Sequence, residues 1–556
     1  MNTNGRCRIP FVARPHDSTR ERTNERTMTR RSISVRYFTT LLCALVVSSA
    51  LMRGANASYV YIAGYEPQSN VTKHNALDLD LRDIMAGLPS LNGQSGTTCV
   101  GDDCKWGSSI GPIETCGGHT GTTLDASAAC QTSYAVWRYG KHSLKSSSVR
   151  SFWGFADGIS GSGKLSGTTT PVGSHQNAFI ARMNAYWMSK GVGPDSSGPD
   201  WAKDIIQAAF DGTPIANAAT GSGNVFNFAT VGMDFRREVI QKGISYLNAF
   251  PYVIWEMQDA INDCRDGQLA RNDNSGMNYG NSVYAWDEAV AFYTGSIEGA
   301  SIGGVGDLSG KMQYYLANKR CENFGTCTAD TDGNAWEGRS KINKEIFDLF
   351  KKGQEQLIAA AALVNAGSST GTACDAVQPT LEKIATKMLV PFIQGTMRYL
   401  YKTKSAVRAK EAGELFAFAS AVLPFIDAVD PAAADMLFHR AWGLDFTDAT
   451  YSYDQIKTAI EGTYSKLGMG AGVGTISCAD IGDLGSATST LAAGCVDSTS
   501  SSSGNNLALG FGIGIPLGAI ALTAVIFGAV MYRKSASHSK RVEELTVQLR
   551  GGPDRV

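Results

Sequence analysis

A long apolar segment lies close to the C-terminus of this 556-residue chain. Residues 507–532 contain no charged side chain, and a helix of that length crosses the hydrocarbon core of a bilayer. Arg533 and Lys534 follow directly, so the positive-inside rule places the tail, residues 533–556, in the cytosol. The serine-rich residues 498–506 are typical of a flexible stalk. We therefore expect one C-terminal transmembrane helix, since the charged tail disfavours a glycolipid anchor signal.

The first 57 residues have the pattern of a basic N-terminus followed by a secretory signal peptide. Arginines dominate up to Arg36, residues 37–51 are mostly apolar, and an Ala-Asn-Ala site ends at Ala57. Met28 is an alternative start, and a mitochondrial transit peptide is the alternative interpretation. Together with the C-terminal helix, this pattern predicts a single-pass type I protein at the plasma membrane, with residues 58–497 outside the cell.

The cysteines and the charge fit an extracellular domain. Two of the 12 cysteines lie in the leader, and the other ten lie between the leader and the membrane, which predicts up to five disulfides. A four-cysteine zinc site at residues 99–130 is the alternative for the first group, although the paired spacing is missing. Asn70 begins a glycosylation sequon. The net charge of −1 and the absence of a basic stripe argue against nucleic-acid binding.

Apolar residues recur at helical spacing through most of this region, so the sequence predicts a mainly α fold. We divide it into two halves, residues 58–264 and 265–497, because a polar loop begins at Arg265. Trp286–Phe292 also weakly resembles Ala412–Phe418, which either duplication or shared helix patterning explains. We expect Pro251 to kink the longest helix. The predicted helices are residues 76–88, 126–139, 178–189, 201–210, 235–264, 286–298, 309–317, 342–364, 379–401, 406–429 and 454–467.

The sequence matches several known functional motifs only in part. Residues 158–164 nearly match a phosphate-binding loop, but Leu165 replaces the required serine or threonine. The Asp-rich turn at residues 328–339 lacks the first aspartate and the last glutamate of a calcium loop. The sequence contains no Glu-x-x-His pair. We also identify no nucleophile elbow, in which an apolar strand leads directly into a Gly-x-Ser-x-Gly turn. We therefore predict that the protein is not an enzyme.

Clustered carboxylates on two neighbouring helices are the main candidates for a binding site. Three acids at i, i+3 and i+7 share one face of the long helix, and the others occupy the next helix. With Tyr293 or Tyr284 they form a set of hard oxygen donors, which suits Fe(III) or calcium. The alternative is a solvated, helix-capping role. The acids are Glu256, Asp259, Asp263, Asp287, Glu288 and Glu298.

Four segments resemble one family of proteins. They are residues 286–299 (Trp-Asp-Glu-Ala-Val-Ala-Phe-Tyr-Thr-Gly-Ser-Ile-Glu-Gly), 316–327, 139–143 and 236–264. These segments are similar to the low-iron-inducible periplasmic or iron-assimilating proteins of algae, which are grouped with the phytotransferrins. The resemblance extends over about residues 60–495.

The resemblance implies iron acquisition at the cell surface. Phytotransferrins are thought to take ferric iron together with carbonate and to enter the cell by endocytosis. The expected partners are therefore iron and, through the transmembrane helix, the membrane. We place the ligands among the acids and Tyr293, and we add His142 because it lies in a matching segment. The alternative function is that of a surface adhesion or structural glycoprotein without metal.

Overall fold

The computed structural model describes residues 59–88, 133–145, 148–156, 177–195, 198–221, 223–269, 280–305, 309–329, 335–365, 369–468 and 475–484. These residues belong to one compact unit and are mainly helical, which confirms the predicted fold class at that level. The predicted signal peptide, stalk, transmembrane helix and tail lie outside the described residues. Among the residues that the structure does describe, no helix is long and apolar enough to cross a membrane.

The α-helices carry the fold, and the strands form three small antiparallel hairpins. The α-helices are α1 Thr72–Asn75, α2 Leu77–Gly87, α3 Ser133–Tyr139, α4 Phe152–Ala156, α5 Ala178–Ser189, α6 Trp201–Asp211, α7 Met233–Gly243, α8 Phe250–Arg265, α9 Asn281–Thr294, α10 Gln313–Phe324, α11 Lys341–Asn365, α12 Thr370–Asp375, α13 Gln378–Lys402, α14 Ala409–Asp427, α15 Pro431–Ala441, α16 Tyr453–Glu461 and α17 Cys478–Ile481. The strands are β1 Leu144–Lys145, β2 Ser148–Val149, β3 Pro194–Asp195, β4 Gly198–Pro199, β5 Pro214–Ala216 and β6 Asn224–Asn227.

A π-helix, Ile244–Ala249, joins α7 to α8, so the chain stays helical from Met233 to Arg265. Pro251 is close to the start of α8, directly after this π-helix. A proline ring inside an α-helix clashes with the carbonyl four residues earlier, and the wider π turn changes that spacing. The predicted long helix is therefore present, and its irregular turn comes just before the proline.

Helix α9 packs against α8, α11 and α1, and almost all of its residues are buried. Trp286 on α9 is fully buried, and its Nε1 donates a hydrogen bond to the Phe350 carbonyl at 2.9 Å. Gly353 on α11 provides the space for this ring, since a Cβ atom there would lie 2.0 Å from Trp286 Cζ2. This contact fixes the rotation of α9 and so determines which of its side chains face α8.

Two disulfides in the described residues confirm part of the cysteine prediction. Cys264 at the end of α8 is joined to Cys374 on α12, and Cys321 on α10 is joined to Cys327. The first bond connects elements on opposite sides of the predicted boundary at residue 264. The predicted cysteine group at residues 99–130 lies outside the described residues.

Candidate functional site

Two neighbouring helices present the same short pattern, a tyrosine followed four residues later by a glutamate. Tyr252 and Glu256 lie on α8, and Tyr284 and Glu288 lie on α9. Residues four apart share one face of a helix. Both glutamates are buried, with exposed fractions of 1% for Glu256 and 6% for Glu288. Because α8 packs against α9, the two tyrosine–glutamate pairs contribute to one polar cluster inside an apolar core.

Glu288 is at the centre of this cluster. His74 on α1 forms an ion pair with its carboxylate through Nε2, and Arg150, just after β2, donates from Nη2 to Oε1 at 3.2 Å. The Tyr284 hydroxyl lies 3.2 Å from His74 Nε2. A buried carboxylate is stable only when it is paired or hydrogen-bonded, so these three neighbours compensate for its burial. We call the complete set the Glu288 cluster, and its members are His74, Arg150, Tyr252, Glu256, Tyr284 and Glu288.

Both tyrosines of the cluster hold their protons firmly. Burial, followed by the charges of Glu256 and Glu288, raises the pKa of Tyr252 well above its usual value. Burial and the charge of Glu288 likewise raise the pKa of Tyr284. The Phe155 ring stacks on Tyr252 with 3.7 Å between ring centroids, so one wall of the cluster is apolar. The phenols are therefore protonated, and a cation that binds them must displace those protons.

Asp287 lies next to Glu288 in the sequence but belongs to a different set of contacts. Its Oδ1 accepts from the Tyr65 hydroxyl at 2.6 Å and from Gln354 Nε2 at 2.8 Å, and its Oδ2 accepts from the Gln68 amide at 2.8 Å. Consecutive helix residues point about 100° apart, which explains the separation. We therefore assign Asp287 a structural role, in which it ties the N-terminal segment to α9 and α11.

Asp287 should make stability depend on pH. Burial raises its pKa to about 7, although its hydrogen bonds act in the opposite direction. Between the pKa of Asp287 in the unfolded chain and about pH 7, the folded state therefore binds a proton that the unfolded state has lost. The stability that Asp287 contributes is complete below the unfolded pKa and is lost as the pH rises towards 7. In Asp287→Asn, the slope of unfolding free energy against pH should become less negative by about 1.4 kcal/mol per pH unit. Urea titrations between about pH 4 and 7 measure the slope.

In Asp287→Asn an amide group replaces the oxygen that accepts from the Gln68 N–H, so the substitution also lowers stability at every pH. Comparing the slopes, rather than the free energies themselves, removes this constant loss. Asp80 also has its pKa raised to about 7 by burial, so part of the negative slope should remain in the variant. An unchanged slope in Asp287→Asn would contradict the assignment.

The other predicted ligands are distributed along the fold. Asp259 and Asp263 are half-buried on α8, and Asp263 lies about 10 Å along the helix axis from Glu256, given a rise of about 1.5 Å per residue. The fully buried Tyr293 donates to Asn343 Oδ1 at 2.6 Å. Glu298 is buried in the 3₁₀ turn after α9. The pKa of Tyr314 is raised by the burial of that tyrosine and by the charge of Glu298. The structure thus groups Glu256 with Glu288, whereas Tyr293 and Glu298 make their contacts elsewhere.

His142 occupies a second polar region, on the surface of α2. Its Nε2 lies 2.9 Å from Asp83 Oδ2, and its backbone amide donates to Asp80 Oδ1 at 2.7 Å. Lys141 donates from Nζ to the same Asp83 oxygen at 2.8 Å. These contacts hold the loop before β1 against α2, so a structural role accounts for His142.

Three members of the cluster were absent from the candidate ligands: His74, Arg150 and Tyr252. Tyr252 had a local signal, because the Tyr-x-x-x-Glu spacing occurs on both helices. His74 and Arg150 had none, since they come from segments far from α9 in sequence and reach Glu288 only in the folded chain. Within the part of the chain that the structure describes, no group of three or more His, Cys, Asp or Glu side chains is arranged to hold a metal ion. A metal site at the Glu288 cluster would therefore need the tyrosine oxygens as ligands.

No family model, curated protein or solved structure matches this chain.

Proposed function

We propose that this chain is a cell-surface iron-binding protein for iron acquisition, anchored by the predicted transmembrane helix at residues 507–532. The observation that supports iron binding best is the Glu288 cluster, in which two carboxylates, two phenols and an imidazole meet in a buried site. The resemblance to algal iron-assimilating proteins supports the same function independently of the geometry. The proposed ligands are Glu256, Glu288, Tyr252 and Tyr284, with His74 as a nitrogen donor.

The charges of this set match those of ferric iron. Two carboxylates and two phenolates carry four negative charges, and Fe³⁺ together with Arg150 carries four positive ones. Hard oxygen donors favour such a cation over copper or zinc. Because uncompensated charge is costly in a buried site, a neutral complex is the stable one. Iron would replace His74 as the direct partner of Glu288, while Arg150 would remain to balance the charge.

Carbonate changes this balance in a measurable way. If both tyrosines lose their protons, no further anion is needed for neutrality. If both remain phenols, one carbonate restores the balance, and Arg150 is the group placed to bind it. Iron binding should therefore release about two protons from the tyrosines without carbonate and fewer with it, in addition to any proton that His74 loses when it becomes a nitrogen ligand. Acid should weaken binding in either case, because protons compete with the metal for its ligands.

The experiment is a ferric titration of the purified full-length protein, with iron supplied as a weak chelate and with bicarbonate present or absent. Affinity, visible absorption and proton release are recorded together. Tight, acid-sensitive binding supports the proposal, and a bicarbonate requirement would favour the carbonate complex. If the folded protein fails to bind iron in both buffers, the proposal is wrong and a surface adhesion or structural role becomes the better explanation.

A further inference from the structure

A cavity of about 100 Å³ lies between α7, the π-helix, α10, α13 and α14, and it involves none of the Glu288 cluster. Its lining is unusually rich in cations. Lys242, Lys311, Lys319 and Arg320 contribute to the wall, whereas Glu414 is the acidic residue there. Such a cavity concentrates positive potential at a point that solvent only partly screens.

Buried donors without partners face this cavity. Within the described part of the chain, Nε and Nη1 of Arg320 have no hydrogen-bond partner, although the residue is only 3% exposed. The same holds for Nε2 of Gln241, a buried lining residue. A buried donor that makes no hydrogen bond costs roughly 1–3 kcal/mol, and more when it is charged. All three orphaned groups are N–H donors, so they require an acceptor with several lone pairs.

The cations of the cavity are unequally neutralised. Lys242 forms ion pairs with Glu238 and, at 3.7 Å, with Glu414. The other three contact aromatic groups. Nζ of Lys319 donates to the Tyr315 hydroxyl at 3.0 Å, Lys311 lies 5.8 Å from the Tyr315 ring centre, and Arg320 lies 6.0 Å from that of Phe418.

Glu414 offsets only part of this charge, because it pairs with Lys242 and the other cations remain. Burial raises the pKa of its carboxyl, which reduces its negative charge near neutral pH. Arg398 on α13 is a further cation close to Arg320. The pKa of Arg320 is lowered mainly by its burial and, in addition, by the charge of Arg398. The cavity therefore retains an excess of positive charge.

We propose that this cavity is a binding site for a small multivalent oxyanion of the phosphate class. Arg320 would donate from Nε and Nη1, and Gln241 from Nε2, while Lys311 and Lys319 would close the solvent side. Arginine presents its N–H groups in a fixed fork that matches two oxygens of such an anion. The cavity, with a volume of about 100 Å³, has room for a single tetrahedral oxyanion.

The test is calorimetric titration of iron-free, full-length protein with inorganic phosphate, and in parallel with sulfate. We expect one anion per chain. Arg320→Gln should weaken binding by about tenfold or more, since one hydrogen bond to a charged group is worth at least that factor. Lys311→Gln combined with Lys319→Gln should also weaken it. Lys404→Gln serves as the matched control, because Lys404 pairs with Asp454 and does not line the cavity.

The rim variant decides the question if Arg320→Gln fails to fold, because Lys319 is exposed and Lys311 half-buried. The proposal is overturned if folded wild-type protein binds neither anion, or if the folded cavity variants bind as tightly as the wild type. An equal loss in Lys404→Gln would also overturn it, because binding would then follow total charge alone.

Discussion

Replacing Glu288 by glutamine should lower the affinity for ferric iron by more than about 100-fold. Loss of a residue that only orients a metal ligand already costs 10–100-fold, and Glu288 is the proposed direct ligand with contacts to His74 and Arg150. Glutamine keeps the shape of the side chain but removes its charge, so the complex would carry an uncompensated positive charge in a buried site. Equilibrium titration with a competing chelator measures the change.

The matched control is Glu461→Gln, which removes the glutamate of a half-buried ion pair with Lys457 on α16. Its iron affinity should equal that of the wild type. Tyr284→Phe supplies a second test within the cluster, because it removes one phenol oxygen and should reduce both affinity and proton release. If folded Glu288→Gln binds iron as the wild type does, iron does not bind at this cluster, whatever the protein's overall affinity.

Removal of the Cys264–Cys374 disulfide should cause the largest loss of stability among the changes considered. The bond connects residues 110 apart in the chain, and chain-entropy accounting assigns about 5 kcal/mol to a loop of that length. Cys264→Ala combined with Cys374→Ala is the appropriate variant, since both sulfurs are fully buried and alanine leaves no polar atom behind. Urea unfolding under non-reducing conditions gives the free energy difference.

The second disulfide provides an internal comparison. Cys321 and Cys327 are only six residues apart, so the same accounting assigns about 2 kcal/mol to their bond. The double alanine variant at these positions should therefore unfold at a higher urea concentration than the first one. Equal losses, or the reverse order, would show that native contacts rather than loop length govern the contribution of these bonds.

Helical periodicity was sufficient to locate most of the long helices. The predicted segment 178–189 coincides with Ala178–Ser189, and the predicted 342–364 extends by one residue at each end, to Lys341–Asn365. In both segments one face enters the core, so the apolar spacing reports burial directly. The predicted helix 309–317 is instead found at Gln313–Phe324. There, buried polar residues such as Asn318 and Arg320 interrupt the apolar pattern.

Helix α15 was missed although its beginning carries a recognisable signal. Asp430 caps the helix by accepting from the Ala432 and Ala433 amides, and Pro431 occupies the first turn. A proline is well tolerated there because its missing N–H would have no partner within the helix. The same proline also marks the end of the preceding helix, so the sequence pattern alone does not distinguish a helix end from the start of a new helix.

The sequence identified the two helices of the candidate site, but it did not show which of their acids belong to the Glu288 cluster. Asp287 and Glu288 are equivalent in a list of carboxylates, and only the rotation of α9 separates them. Trp286 fixes that rotation by packing against Gly353, a long-range contact that periodicity does not reveal. His74 and Arg150 depend on tertiary packing in the same way, so no local pattern could have assigned them.

The π-helix between α7 and α8 gives this protein a place where its length can change. A π turn holds about one residue more than an α turn, so it accommodates an inserted residue without rotating the helix beyond it. Deleting one residue from Ile244–Ala249 would restore ordinary α geometry there and leave α8 in nearly the same rotation. Tyr252 and Glu256 would then still face α9, so homologues that keep the site can differ by one residue in this segment, whereas a deletion within α8 between Pro251 and Glu256 would rotate Glu256 away.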